Sequence, residues 1–325
     1  MGILLLYLSF RGIRLGDFWS DIKNARYTWV FAGMVIMLAA HVARAYRWNL
    51  QIEPMGYKPR LFYTTMAVLI GYFANLAFPR IGEVTKCGSL SKSDKIPMES
   101  LVGTVIVERV FDLLTVIILL AVVFFARIHV FGAFISKNLF GPFLNSIQAS
   151  HDHSLLLWII ILAVVLGLVV TAFLFRQRLK KYKGYGKLGK IWAGLKNGLQ
   201  SLFVMKKMYR FLFFTFLIWL LYLISTYILF FSLPATSALN FLDALFILVF
   251  SSIGMTLPTQ GGFGTYHLLV SLGLTLYGIS REDGMAYAIL SHESQTLMII
   301  ILGMISFLIV FGSKRKSSMV EHPNR

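Results

Sequence analysis

Apolar residues in this chain come in long unbroken runs, without the alternation of half-buried strands, and charges or turn residues separate the runs. Tyr27–Trp48, Leu101–Phe125, Leu155–Phe175, Phe211–Phe231 and Met285–Phe311 each approach or exceed the roughly 20 residues a helix needs to cross a bilayer. Gly2–Phe10 is a shorter run before Arg11. It lacks the basic start and small-residue cleavage site of a signal peptide, and reads as the end of an incomplete first helix. Two more runs are interrupted. Leu61–Phe78 stops at Pro79 and Gly82. Phe241–Leu257 stops at Pro258 and resumes as Leu268–Tyr277 after Thr259-Gln260-Gly261-Gly262-Phe263-Gly264-Thr265-Tyr266-His267. Broken backbone at membrane depth is tolerated only where it lines a protein cavity.

The pattern predicts an all-α polytopic membrane protein with about six spanning helices and two broken segments in an inverted-repeat arrangement, their halves either re-entrant or each crossing fully. Each broken segment lies between a preceding and a following span. Paired interruptions of this kind mark inverted repeats with a binding site at their interface. The tips, 78–83 and 258–267, are expected to meet near mid-membrane across a pseudo-two-fold axis in the bilayer plane. The chain divides as one integral membrane domain over 1–325: a first half (1–153), a basic cytoplasmic loop (176–210), a second half (211–312) and a cytoplasmic tail (313–325).

Composition agrees. The chain is 57% hydrophobic and 14% charged, with a mean hydropathy of +0.73, and leaves no stretch for a sizeable soluble domain. A single cysteine, Cys87, excludes an internal disulfide and a cysteine metal cluster. The net charge of +17 does not indicate nucleic acid, because eleven Lys/Arg lie between Arg176 and Arg210 and no acid lies between Asp152 and Asp243. A basic loop between spans is the positive-inside signature and is drawn to the anionic cytoplasmic leaflet. Within it Leu188, Ile191, Trp192, Leu195, Leu199, Leu202 and Phe203 recur at helical spacing, predicting an amphipathic helix on that surface. Arg127–His153, aromatic-rich, reads as an outer loop or interfacial hairpin, and Ser91–Glu99 as a polar loop.

The candidate chemistry is the ionisable residues set in apolar sequence. A charge at membrane depth costs a few kcal/mol or more unless paired or watered, which makes such residues functional candidates. Arg80 and Arg109 are the candidate ligands of a lipid phosphate, since a guanidinium grips phosphate oxygens bidentately. Glu83, Glu108 and Asp112 would orient them, and Glu108 and Asp112, four apart, share a helix face. The competing reading is an ion-pair network that only closes a helix break. Gly261, Gly262 and Gly264 either present amides to an anionic head group or permit close helix packing. His267 lies beside them, and His292 and Glu293 in the last span form a candidate proton relay. The same three residues have no recognised metal spacing, and no metal or cofactor is expected. His41, Arg44 and Arg47 lie toward one end of the first full span, where long cations can snorkel to the surface. No residue is assigned as catalytic: HExxH, GxSxG and GxxxxGK[ST] are absent.

Three segments together carry a family resemblance. Asn75-Leu76-Ala77-Phe78-Pro79-Arg80-Ile81-Gly82-Glu83, Val107-Glu108-Arg109-Val110-Phe111-Asp112 and Leu257-Pro258-Thr259-Gln260-Gly261-Gly262-Phe263-Gly264 resemble, in order, the lysylphosphatidylglycerol synthase transmembrane-region family. This is the flippase-like membrane domain of the multiple peptide resistance factor and its stand-alone relatives. The resemblance implies a bacterial inner-membrane helical protein that moves or handles phospholipid. These 325 residues hold no soluble aminoacyl-transferase domain, so no synthase activity is expected of them. His267 stands where the family places a glutamate. The leading expectation is a phospholipid flippase-like protein. The alternatives are an intramembrane enzyme acting on a lipid head group and a membrane partner of a separate synthase; a homo-oligomer is also a candidate assembly.

Overall fold

The computed structural model describes residues 15–126 and 207–312. The span over 155–175, the outer loop 127–153, the amphipathic helix over 188–203, most of the basic loop and the tail lie outside the described residues. So does Gly2–Phe10. The described residues are helical, with short turns and no strand among them: α1 (Leu15–Asn24), α2 (Tyr27–Ile52), α3 (Leu61–Ala77), α4 (Gly82–Asp94), α5 (Met98–Ala126), α6 (Met208–Phe230), α7 (Phe241–Thr256), α8 (Thr265–Thr275) and α9 (Arg281–Gly312). Residues 15–120 and 207–312 belong to one compact unit, so both halves of the sequence contribute to one packed body; the last turns of α5, 121–126, belong to a second unit.

Among the described residues, four stretches are long and apolar enough to cross a membrane: Tyr27–Met55, Met98–Ala126, Met208–Phe230 and Arg281–Gly312. Their outward faces fit a hydrocarbon solvent. On α5, Leu113, Ile117, Ile118 and Phe125 are exposed, as are Leu297, Ile301, Ile305 and Leu308 on α9, a far larger apolar surface than water tolerates on a monomer. This is an all-α polytopic membrane protein.

The interrupted runs become two helical hairpins. The 17 residues of α3 reach about 25 Å, short of a full bilayer core. The helix ends at Phe78, whose extended backbone (φ −137°, ψ 130°) is what a following proline requires. The chain then folds back. Gly82 sits so close to Gly71 that a Cβ there would overlap the Gly71 carbonyl oxygen, and the Gly82 N–H donates to Asn75 Oδ1 at 2.7 Å. The second hairpin repeats the device: a Cβ on Gly254 of α7 would stand 2.9 Å from Tyr266 Cα of α8. Asn240 starts α7 by accepting from the Leu242 and Asp243 N–H groups, while Asp243 accepts from the Asn240 N–H.

Contacts between the halves complete the body. α2 lies along α6, where Gly33 faces Leu229 and Ser225 Oγ donates to the Gly33 carbonyl at 3.1 Å. α9 lies against α3, with Gly303 beneath Phe73 and Leu69 and Met298 and Ile299 packed on Leu69. The two hairpin tips touch. Gly261 abuts Leu76, one residue from the end of α3.

The stretch after Gly82 differs from the sequence expectation. Gly82–Asp94 is a helix with Lys86, Cys87, Ser89 and Leu90 buried, and the next helix starts at Met98, so only 95–97 of the polar loop expected over 91–99 lie outside helix. Packing of Cys87 and Leu90 into the core with Trp48, Ala67, Val68 and Leu101 outweighs the poor intrinsic hydropathy of the segment.

Candidate functional site

Glu108 and Asp112 face inward from one side of α5, as their spacing requires, but their principal partners are not the arginines expected. Arg44 Nη1 of α2 donates to Glu108 Oε1 at 2.7 Å and to Asp112 Oδ2 at 2.8 Å. Arg47 Nη2, one turn on, donates to Asp112 Oδ1 at 2.8 Å and to Glu108 Oε1 at 3.3 Å. Lys86 Nζ of α4 donates to Glu108 Oε2 at 2.6 Å. Every side chain in this cluster is buried.

Arg44 and Arg47 therefore do not snorkel. α2 runs on to Ile52 and a further turn to Met55, which places both guanidiniums two turns or more inside the helix. Aromatic and hydroxyl neighbours hold the cations in position. Lys86 Nζ lies 4.1 Å over the Trp48 ring, and Trp48 Nε1 donates to Thr104 Oγ1 at 2.8 Å. Arg47 Nη1 donates to Thr215 Oγ1 at 3.2 Å. Three buried cations against two buried carboxylates leave one formal positive charge, in an interior where an unbalanced charge is expensive. The Nε donors of Arg44 and Arg47 have no hydrogen-bond partner among the described residues.

Arg109 and Glu83, both expected at the site, meet at its edge. Arg109 Nη2 lies 2.9 Å from Glu83 Oε1, with side chains 46% and 29% exposed. On the outer side of this pair is a cavity of about 310 Å³, lined otherwise by Val84, Cys87, Val102, Val105, Ile106, Val110 and Leu113. On the inner side is a space of about 10 Å³, lined by Arg44, Lys86, Asn75, Tyr72 and Gly82 among others, which is room for one water. The pair thus stands between an apolar groove and the inner cationic cluster. Arg80 is apart from both. It is exposed, in the left-handed backbone region (φ 64°) at the hairpin tip, and makes no ion pair among the described residues.

The second group of expected residues forms its own network. Gly261, Gly262 and Gly264 all have positive φ, which lets the loop turn tightly enough to bring the Gly261 carbonyl to His292 Nε2 at 2.8 Å. His292 Nδ1 lies 3.0 Å from Glu293 Oε1, and His267 Nε2 lies 3.2 Å from the same oxygen. The Gly264 N–H points at His267 Nδ1 at 3.4 Å, so that amide is turned toward the histidine and away from any open head-group site. Tyr266 packs on the His292 ring at 4.9 Å.

Sequence reasoning thus named Glu83, Glu108, Arg109 and Asp112 as neighbours, misplaced Arg44 and Arg47, and missed Lys86. The readable signal for the two arginines was their i, i+3 spacing on the same face as His41, facing a carboxylate pair spaced i, i+4.

A multi-pass helical membrane protein with paired helical breaks and a buried charge cluster is one class of protein. The sequence pattern described as the lysylphosphatidylglycerol synthase TM region matches residues 1–303, and the chain belongs to that family. It is 24% identical over 307 residues to the UPF0104 membrane protein MJ1595 of Methanocaldococcus jannaschii, covering 88% of this chain and 86% of that one. A shorter stretch of 98 residues is 32% identical to the glycosyltransferase AglD of Haloferax volcanii, covering 30% of this chain and 16% of that protein. No solved structure matches the chain.

Proposed function

We propose that this protein binds a phospholipid by its phosphate and carries it between leaflets of the cell membrane, in the manner of a flippase. The observation that carries the reading is the unbalanced buried cation cluster behind a groove with apolar walls and an Arg109–Glu83 mouth. An acyl chain suits Val84, Val102, Val105 and Val110. A phosphate suits Arg109, and by displacing Glu83 it would reach toward Arg44 and Lys86, where its negative charge offsets the excess positive one. The matched breaks at 78–81 and 257–264 support an inverted-repeat arrangement around that site. On this reading the basic segment 176–210 and the tail 313–325 face the cytoplasm, and the membrane is the bacterial inner membrane.

A second reading, head-group transfer, is favoured by the partial likeness to a protein named as a glycosyltransferase. Against it, Glu108 and Asp112 are each held by cations, which leaves neither free as a general acid or base. Reconstitution in liposomes with labelled phospholipid separates the two, since exchange without new product supports transport and new product without exchange supports transfer. Arg109→Lys keeps the charge and loses the planar fork. The loss of one charge-assisted hydrogen bond, about 1.5–3 kcal/mol, should slow exchange roughly tenfold or more with the thermal unfolding midpoint unchanged. Undiminished exchange in that variant would overturn the phosphate role of Arg109.

A further inference from the structure

We propose that His267, His292 and Glu293 bind one divalent transition-metal ion of the zinc class, which pins the second hairpin to α9. His267 comes from α8 and the other two from α9, so only the fold brings them together. Three ligand atoms converge. His267 Nε2 lies 3.2 Å from Glu293 Oε1, His292 Nδ1 lies 3.0 Å from the same oxygen, and all three atoms fall within 4.8 Å of one another. Nitrogen and oxygen ligands about 2.0–2.1 Å from a tetrahedral zinc stand about 3.3 Å apart. Two edges of such a site are therefore nearly in place, and closing the two rings on each other completes the third. Independently, His267 Nε2 has no hydrogen-bond partner among the described residues, although its side chain is only 1% exposed. Glu293 Oε1 is near this nitrogen but off its axis, as two ligands of one ion are and a donor and its acceptor are not.

The surroundings of His292 suit a ligand. A carbonyl oxygen only accepts, so the 2.8 Å contact to Gly261 puts the ring hydrogen on Nε2. Nδ1 then turns a bare lone pair toward a carboxylate oxygen, and a cation shared by the two removes that repulsion. A backbone carbonyl on the far ring nitrogen is the usual support of a metal-bound histidine. Phe263 and Tyr266 flank the same ring at 5.2 and 4.9 Å. Glu293 pairs with no Lys or Arg among the described residues, and a bound cation would offset its charge at membrane depth. It lies in a polar turn of α9: Ser294, Gln295 and Thr296 follow it, all half-buried, and the hydrocarbon-facing stripe begins beyond them at Leu297. The side chain is 36% exposed, which leaves that side of the ion for water as a fourth ligand. Binding asks one concession. His267 must carry its hydrogen on Nδ1 and give up the Gly264 N–H contact at 3.4 Å, already longer than the roughly 2.7–3.2 Å of a firm hydrogen bond.

Two imidazoles and one carboxylate select a zinc-like ion over magnesium or calcium, which take oxygen ligands. The site stands on different residues from the lipid groove and is tested without added lipid. The full chain, free of any affinity tag, is stripped with a chelator in detergent and titrated with zinc chloride. One zinc per chain should bind and raise the thermal unfolding midpoint, because the ion ties α8 to α9 only in the folded state. Cobalt in the same place should give the visible absorption of a tetrahedral site, and magnesium should not compete. Glu293→Gln is nearly isosteric at a half-exposed position, so it keeps the fold while removing the charged ligand. It and His267→Gln should each weaken zinc binding by at least the roughly 10–100-fold that losing a mere supporting group costs, and abolish the cobalt band. Zinc binding of equal strength in both folded variants would overturn the proposal, since the ion would then sit elsewhere. So would saturation well below one ion per chain, displacement by magnesium, or an unfolding midpoint that zinc leaves unchanged.

Discussion

Arg80 adopts φ 64° at the tip of the first hairpin, a conformation that costs a residue with a Cβ about 1–2 kcal/mol. A glycine there would relieve the turn. Arg80→Gly should therefore leave thermal stability in detergent unchanged or raise it by about 1 kcal/mol. An unstrained variant with slower lipid exchange would show that the side chain is kept for function; one with undiminished exchange would show that it is not. Few of the residues at the charge cluster were as easy to read in advance. Glu108 and Asp112 announced themselves by being acidic inside an apolar run at i, i+4. Arg44 and Arg47 were visible too, but at the end of an apolar stretch a cation has two destinations, the surface or a partner, and the partners lie 61–68 residues further along the chain. Only tertiary structure decides between them. Lys86 was hidden more thoroughly, because nothing in Gly82-Glu83-Val84-Thr85-Lys86 marks a buried lysine until Trp48 and Glu108 are brought to it.

At the scale of elements, the hairpin breaks were legible because proline and glycine act locally, whereas the helix after the first break was not. α4 owes its place to the close approach of Gly82 to Gly71, and this gives a test with a built-in control. A methyl on Gly82 would overlap the Gly71 carbonyl and come within 2.6 Å of the Asn75 amide. Neither can yield without opening the hairpin. Gly82→Ala should destabilise the protein toward the upper end of the roughly 1–3 kcal/mol that overpacking costs. Gly88 lies six residues on in the same helix, with nothing within 4 Å of an added Cβ. There alanine should stabilise by about 0.5–1 kcal/mol, the ordinary helix preference. Thermal unfolding of the two variants in one detergent reads both signs. Equal effects at the two positions would mean that α4 is held by something other than this contact.

For the whole molecule, a multi-pass helical body was plain from run lengths alone, since few other structures satisfy so many apolar residues. What run lengths could not supply was the pairing of α2 with α6 and of α9 with α3, which mixes the two sequence halves into one unit. That mixing sets α4 against α5 with a groove between them, and one wall of the groove is Cys87, the only thiol in the chain. The protein consequently carries its own occupancy reporter. Cys87 is 1% exposed, so a small membrane-permeant alkylating reagent reaches the sulfur only as the groove opens, and an acyl chain lying there would shield it. In detergent micelles, alkylation of Cys87 should slow as a phospholipid is titrated in, and recover when excess detergent dilutes it away. Labelling indifferent to lipid would mean that the groove stands empty of chains, and that lipid takes another route past the cluster.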